Sequence, residues 1–456
     1  MFINDKINQY IRLISDNLQE ILAEQLIARE ESEELFKSLQ AKPLKVISGF
    51  RRSGKSSLVK LAIQKAIATK LVQAENVLYL NFEDYMLSEI VDAQDLHELL
   101  QLFNKHLAVA GPKLLVFDEI QKIQDWDKFI RTIYDRNPNH DQIIITGSNA
   151  DLLSSELSSR ITGRFIEFKI QPFSFTEFLS YKQIKFKNIN KEYSKLESLF
   201  YDYCKQGGLP EIYSITDNNT KLSYTQSIVG KVILDDIVSR YKLRNNLAIS
   251  KIFQFISQNP GKVMSYSKIV KYLKNIGIDI HQETLIEYLG YLQQCYAIYQ
   301  VDKFDYSTKK IFQGSKKFYI VDVGLSHLYK GITNNFSMLL ENLVYLKLKR
   351  NRNIKHIYYI AADNFEIDFV TEDWQGNIIK YQVTEQLTDD NQLRELGAFA
   401  KLDKYLAKHP NIILTLEQSN SEFCYEGQKI QHLNLIEFLL KDVQAGDFPR
   451  LEESYS

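Results

Sequence analysis

The chain of 456 residues is poor in the residues that build cross-links and metal centres. Its three cysteines, Cys204, Cys295 and Cys424, lie far apart in no metal-type spacing, which argues against a disulfide framework and predicts a reducing compartment. The eight histidines are as scattered. No His-x-x-x-His or Cys-x-x-Cys pattern occurs, so a metal held by His or Cys is not expected. No sign of charge dominates: 56 Lys and Arg face 57 Asp and Glu, a formal net charge of −1. Any contact with nucleic acid must therefore come from a local patch. No stretch approaches the ~18 uninterrupted apolar residues of a membrane-spanning helix. The start, Met1-Phe2-Ile3-Asn4-Asp5-Lys6, lacks the basic and apolar regions of a secretory signal. These absences predict a soluble, cytoplasmic protein without a membrane partner.

What is present is an ordinary globular mix, 45% hydrophobic and 25% charged, long enough for two to four domains. Residues 6–40 alternate apolar and charged positions at helical spacing, which predicts an amphipathic helix pair packed on the following domain or docking a partner. From Pro43 the rhythm changes to short apolar strands separated by helical stretches. Leu44–Ser48, Val77–Phe82, Lys113–Asp118 and Gln142–Gly147 read as strands of a parallel sheet covered on both faces. Helices are expected again over Tyr193–Cys204 and Leu222–Tyr241, broken by Gly207-Gly208-Leu209-Pro210.

The first strand runs into Gly49-Phe50-Arg51-Arg52-Ser53-Gly54-Lys55-Ser56, which fits G-x-x-x-x-G-K-[ST] at every fixed position and opens a helix. Glycines let backbone N–H groups curl round phosphates, and the helix N-terminus adds a favourable dipole. Lys55 is expected on the β- and γ-phosphates of ATP and the Ser56 hydroxyl on Mg²⁺. Arg51, Arg52, Ser53 and Ser57 complete the expected nucleotide-binding set. Leu114-Leu115-Val116-Phe117-Asp118-Glu119 is an apolar strand ending in two acids. Asp118 is expected to hold the magnesium and Glu119 to act as general base on the attacking water. Ser148 and Asn149, after the fourth strand, are candidates to sense the γ-phosphate, or else a plain loop turn. Arg160 and Arg164 are candidates for an arginine finger, or else surface salt bridges.

These residues resemble a prokaryotic family of AAA-type P-loop ATPases that carry a C-terminal restriction-endonuclease-like domain of unknown function. The matching stretches are Gly49–Ser57, Val116–Lys122 with Trp126, and Thr146-Gly147-Ser148. Further matches are Gly163-Arg164, Pro172–Phe178, Gly207–Glu211, Phe318–Leu325 and Glu341–Val344. The Arg51-Arg52 pair also resembles signal-transducing NTPases, in which nucleotide state switches a conformation. The resemblance implies an α/β fold with a helical arm (1–42) and an AAA-like P-loop core with a parallel sheet (43–180). A helical lid (181–245), a winged-helix segment (246–315), a nuclease-like domain (316–445) and a tail (446–456) follow. The first reading of function is an ATP-hydrolysing switch or motor with the C-terminal half as its reader or effector, and an intact Glu119 favours hydrolysis over binding alone. An ATP-regulated nuclease and a nucleotide-dependent scaffold are the alternatives, and a protein partner or homo-oligomer is compatible with each.

Residues 246–320 hold ten lysines against five acids, much of the excess on the expected wing at Lys303, Lys309, Lys310, Lys316 and Lys317. The expected recognition helix, from His281 to Tyr299, carries Glu283 and Glu287 and no Lys or Arg. Double-stranded DNA is therefore expected to bind weakly and without sequence preference through the wing, or not at all. In the last domain the resemblance implies Glu341, Asp368 with Glu366, and a Glu-x-Lys on the next strand. That strand has Gln382 and Thr384 instead, which predicts a nuclease fold without nuclease activity.

Overall fold

The five apolar runs before residue 171 form β1 (Leu44–Gly49), β2 (Val77–Asn81), β3 (Leu114–Asp118), β4 (Gln142–Gly147) and β5 (Phe165–Ile170). The computed structural model describes residues 4–137, 141–150, 163–186, 191–243, 245–304, 314–329, 336–362, 365–402, 406, 408–418 and 420–441. All five strands pair in parallel, in the order β2-β3-β4-β1-β5. Helices α1 (Asn4–Ala23), α2 (Ser32–Ser38), α3 (Lys55–Ala68), α4 (Ala93–His106) and α5 (Trp126–Asp135) cover the sheet. Alternation along each strand divides the side chains between two cores. Val77, Tyr79, Val116 and Ile144 pack with Leu58, Val59 and Ile63 of α3 and Leu35 of α2. Leu78, Leu80, Phe117 and Ile145 pack with Ile14 of α1, Leu99 of α4 and Phe129 of α5. Each such side chain stabilises the fold by about 1.5–3 kcal/mol when fully buried. This compact unit comprises Met1–Phe173, Leu179–Ile184 and Gln294–Tyr296.

The second unit comprises Ser174–Phe178, Lys185–Gln293 and Ala297–Ser456. Helices α6 (Tyr193–Gln206) and α7 (Asn218–Lys231) lead into a π-helix over Val232–Ser239. Helices α8 (Asn246–Ser257), α9 (Tyr266–Asn275) and α10 (Gln282–Gln294) come next. An eight-stranded mixed sheet is then built from β6 (Ile298–Lys303), β7 (Lys316–Ile320), β8 (Ile354–Ala362), β9 (Phe365–Asp373), β10 (Ile378–Val383), β11 (Asn411–Thr415), β12 (Ser421–Tyr425) and β13 (Gln428–Asn434). Its order is β12-β13-β11-β10-β9-β8-β6-β7. Helices α11 (Phe336–Arg350) and α12 (Gln392–Lys401) pack on it.

The expected wing differs from what is seen. Strands β6 and β7 do form an antiparallel hairpin, but β6 also pairs in parallel with β8, so the hairpin is the end of the large sheet. The boundary expected at 315/316 therefore falls inside one hydrogen-bonded layer. Lys316 and Lys317 are 3% and 0% exposed, so neither can meet a DNA phosphate. Lys309 and Lys310 lie outside the described residues. Two motifs of the resemblance turn out to pack on each other. The Asp322 carboxylate accepts N–H bonds from Gly208 and Gly324, and a Cβ on Gly207 would lie 1.9 Å from Asp322 Oδ1. Burial raises the Asp322 carboxyl to about 6. Among the described residues, no helix is long and apolar enough to cross a membrane.

Candidate functional site

Parallel pairing brings the C-terminal ends of β1, β3 and β4 to one edge of the first sheet, where ligands bind in open α/β sheets. β4 lies between the other two, so the turns leaving β1 and β3 flank the end of β4. The loop after β1 is shaped by two glycines. Gly49 has φ 151°, and a Cβ there would lie 2.1 Å from the Ile170 carbonyl oxygen. Gly54 has φ 96° and caps α3. Lys55 Nζ donates to the carbonyls of Gly49 and Phe50 at 3.2 and 3.3 Å, so the ammonium spans the loop mouth. The same Nζ lies 3.6 Å from Glu119 Oε1.

Asp118 is fully buried at the end of β3. Tyr79 OH donates to its Oδ2 at 2.7 Å, Thr146 Oγ1 to its Oδ1, and the Ser56 side chain also hydrogen-bonds it. Burial raises the Asp118 carboxyl, against these hydroxyl donors. Ser56 and Asp118 thus present touching hard oxygens, a donor set that fits Mg²⁺ and suits no soft metal. Glu119 takes a left-handed conformation (φ 55°, ψ 43°), which costs a non-glycine residue about 1–2 kcal/mol. The kink aims its carboxylate at Lys55, while its N–H donates to Thr146 Oγ1 at 3.0 Å. Burial pushes the Glu119 carboxyl up. Lys55, Gln121, Arg51 and the Ser148 backbone more than offset this and leave it below the ordinary carboxylate value.

Of the other expected residues, Ser148 reaches Glu119 through its backbone. Asn149 is 1% exposed and donates to Cys295 Sγ at 3.8 Å. Arg51 pairs with Glu83 at 2.9 Å, beside the loop. Arg52 is exposed with φ 64°, and Ser57 is half-buried in the first turn of α3. Arg160 lies outside the described residues. Arg164 makes the surface salt bridge that was the alternative to an arginine finger. Its carbonyl accepts from Leu44 N–H, at the start of β1, and its guanidinium pairs with Asp135 at 2.7 Å. The whole six-residue strand, at about 3.3 Å per residue, separates it from the phosphate loop.

Three partners of this site were not legible. Tyr79 and Thr146 read as ordinary strand residues, and Arg29 as part of a packing helix. Arg29 is 5% exposed and donates to the carbonyls of Ser53 at 2.8 Å and Gln171 at 2.7 Å.

In the second unit the structure brings Glu341, Glu366 and Asp368 together, with ligand atoms all within 4.8 Å of one another. The sequence pointed to these three acids, but the lysine comes from elsewhere. Lys317 Nζ, from β7, lies 2.8 Å from Glu341 Oε1 and 3.1 Å from Asp368 Oδ1, and also pairs with Glu366. Tyr319 OH donates to Glu341 at 2.6 Å. Gln382 accepts the Asp368 backbone N–H at 3.2 Å and donates to Glu395 at 2.7 Å, so its amide holds the β9 backbone and the Glu395 carboxylate.

Comparison with known proteins finds an AAA domain across the first sheet. Residues 41–179 match the model of the AAA domain, and residues 197–335 that of a domain of unknown function. The chain is 32% identical over 425 residues to an uncharacterized protein of Methanocaldococcus jannaschii, covering 92% of this chain and 90% of the relative. It is 32% identical over 329 residues to an uncharacterized protein of Haemophilus influenzae, covering 72% of this chain and 79% of the relative. Among solved structures, the Walker-type ATPase of Pyrococcus abyssi aligns at 19% identity with a TM-score of 0.45, covering 67% of this chain and 96% of that one. The chain belongs to the family of the Methanocaldococcus protein, and its first unit carries an AAA-type P-loop domain.

Proposed function

We propose that this member of an AAA-domain family binds ATP with Mg²⁺ and hydrolyses it slowly, as a nucleotide-dependent switch or motor. One observation carries the reading: Lys55, Ser56, Asp118 and Glu119 converge at one sheet edge, with Glu119 kinked into place beside Lys55. The loop N–H groups bind phosphate oxygens, and the Lys55 ammonium moves from its loop carbonyls to the β- and γ-phosphates. Ser56 and Asp118 would hold the magnesium, which would supply positive charge against the phosphate oxygens. Glu119, ionised at neutral pH, orients the attacking water and accepts its proton. ATP turnover by the purified chain, with and without double-stranded DNA, tests this. Lys55→Ala should abolish tight nucleotide binding; unchanged binding in that variant would remove the reading.

For the second unit we propose a nuclease-like domain that does not cut. What supports this is the Lys317 ammonium set among all three acids, in addition to Gln382 and Thr384 where the resemblance calls for Glu and Lys. Incubation with Mg²⁺ or Mn²⁺, ATP and assorted DNA and RNA should give no cleavage. Cleavage lost in Asp368→Ala would establish the rival reading, an ATP-regulated nuclease.

A further inference from the structure

The geometry points to Arg29 as a positioning residue of the phosphate loop, which makes the segment between α1 and α2 part of the nucleotide site. The inference rests on the reading of residues 49–56 as an ATP-binding loop.

The guanidinium of Arg29 bridges two backbones. NH1 donates to Ser53 O at 2.8 Å, inside the loop, and NH2 to Gln171 O at 2.7 Å, just past the end of β5. The neighbouring Ile170 carbonyl is the atom against which Gly49, at the loop's start, is pressed. Arg29 therefore ties the far arm of the loop to the strand end that floors its near arm. The planar fork is itself fixed. It lies 5.0 Å from the Phe173 ring centroid, and the Arg29 backbone N–H donates to Ser32 Oγ at 2.9 Å, at the head of α2.

Peptide geometry carries this contact into the loop. In a trans peptide the C=O and the next N–H point in opposite directions. Holding the Ser53 carbonyl towards Arg29 turns the Gly54 N–H away from it, and phosphate binding needs the loop N–H groups turned inward together. Gly54, at φ 96°, has the backbone freedom to turn otherwise if the carbonyl is released. An ammonium cannot replace the fork, because it offers a point charge where two carbonyls need donors in one plane.

The test uses the full chain with Arg29→Lys and Arg29→Ala, beside wild type and Lys55→Ala. Binding of fluorescent ADP and ATP analogues and the thermal midpoint without nucleotide are measured. Arg29→Lys should fold and lose roughly tenfold affinity, equally for ADP and ATP, as expected for one lost charge-assisted hydrogen bond. Methylguanidinium should restore affinity to Arg29→Ala and leave Lys55→Ala unrepaired, which a clamp that merely holds the fold together would not produce. Folded Arg29 variants that bind as tightly as wild type overturn the inference. So does an affinity that falls only with the folded fraction and ignores methylguanidinium. A wild-type chain that binds neither analogue overturns the ATP reading itself, a result distinct from any difference between variants.

Discussion

Each unit of this chain brings a lysine to carboxylate oxygen, and the two settings are opposite in kind. Lys55 is held by two backbone carbonyls and lies 3.6 Å from one carboxylate oxygen of Glu119. Those contacts are long, mostly neutral, and easily exchanged for phosphate oxygens. Lys317 is 0% exposed, at pairing distance from Glu341, Glu366 and Asp368. Its ammonium fills the centre that a cation would take. The first lysine is placed to move to a ligand, and the second is spent on its own chain. A lysine beside acids is therefore no sign of an active centre until its alternatives are counted.

The sharpest way to break this comparison is to neutralise one acid at each site. Glu119→Gln should keep nucleotide binding and lower turnover by about 10²–10⁴-fold, the usual contribution of a positioned general base. Asp368→Asn should leave ATP turnover unchanged and remove no cleavage, because there is none to remove. Phosphate release and nuclease assays on both variants decide the matter. Turnover by Glu119→Gln at the wild-type rate would show that the base is another group.

The first site was the more legible because its chemistry is local in sequence. A strand, a glycine-bounded turn and a helix start succeed one another, so Gly49, Lys55 and Ser56 fall into place together. Asp118 and Glu119 end a second apolar strand. What stayed hidden there is non-local: Tyr79 and Thr146 hold Asp118 from two other strands, and Arg29 reaches the loop from the segment between two helices. Which of its two readings Arg164 takes is non-local as well, since only the pairing of β5 with β1 shows that it stands at the far edge. In the second unit Glu341, Glu366 and Asp368 could be found from their elements, but Lys317 read as a basic wing residue. Its role depends on β6 pairing with β8, a parallel contact between strands some fifty residues apart that no local pattern announces.

A second test sharpens the claim that Lys317 stands in for a cation. Lys317→Met removes the ammonium and keeps the volume, leaving three carboxyl groups facing one another. Breaking a buried ion pair from one side costs about 3–5 kcal/mol, so the thermal midpoint should fall markedly. Mn²⁺ should restore part of that midpoint in Lys317→Met and leave wild type unaffected. Electron paramagnetic resonance of Mn²⁺ reads the uptake directly. Wild-type chain that takes up Mn²⁺, and loses it in Asp368→Asn, would mean that the lysine shares the site with a metal instead of filling it.

The smallest effect expected is on the pH dependence of stability. Burial, and then the neighbouring Asp368 carboxylate, raise the Glu341 carboxyl to about 8, against the pull of Lys317. An acid whose folded value lies above its unfolded one contributes stability that is complete below the unfolded value, near 4.5, and is lost as pH rises through about 8. Lys317 is itself raised well above 10.5 by its acids, against burial, so its own contribution persists across that window. The thermal midpoint of wild type should therefore decline between pH 5 and pH 9 by an increment that Glu341→Gln lacks, whatever the variant's absolute stability. Differential scanning calorimetry at matched ionic strength reads the slope. Equal slopes in the two proteins would place the retained proton on another acid of the cluster. Glu366, which burial also raises, is the one to replace next.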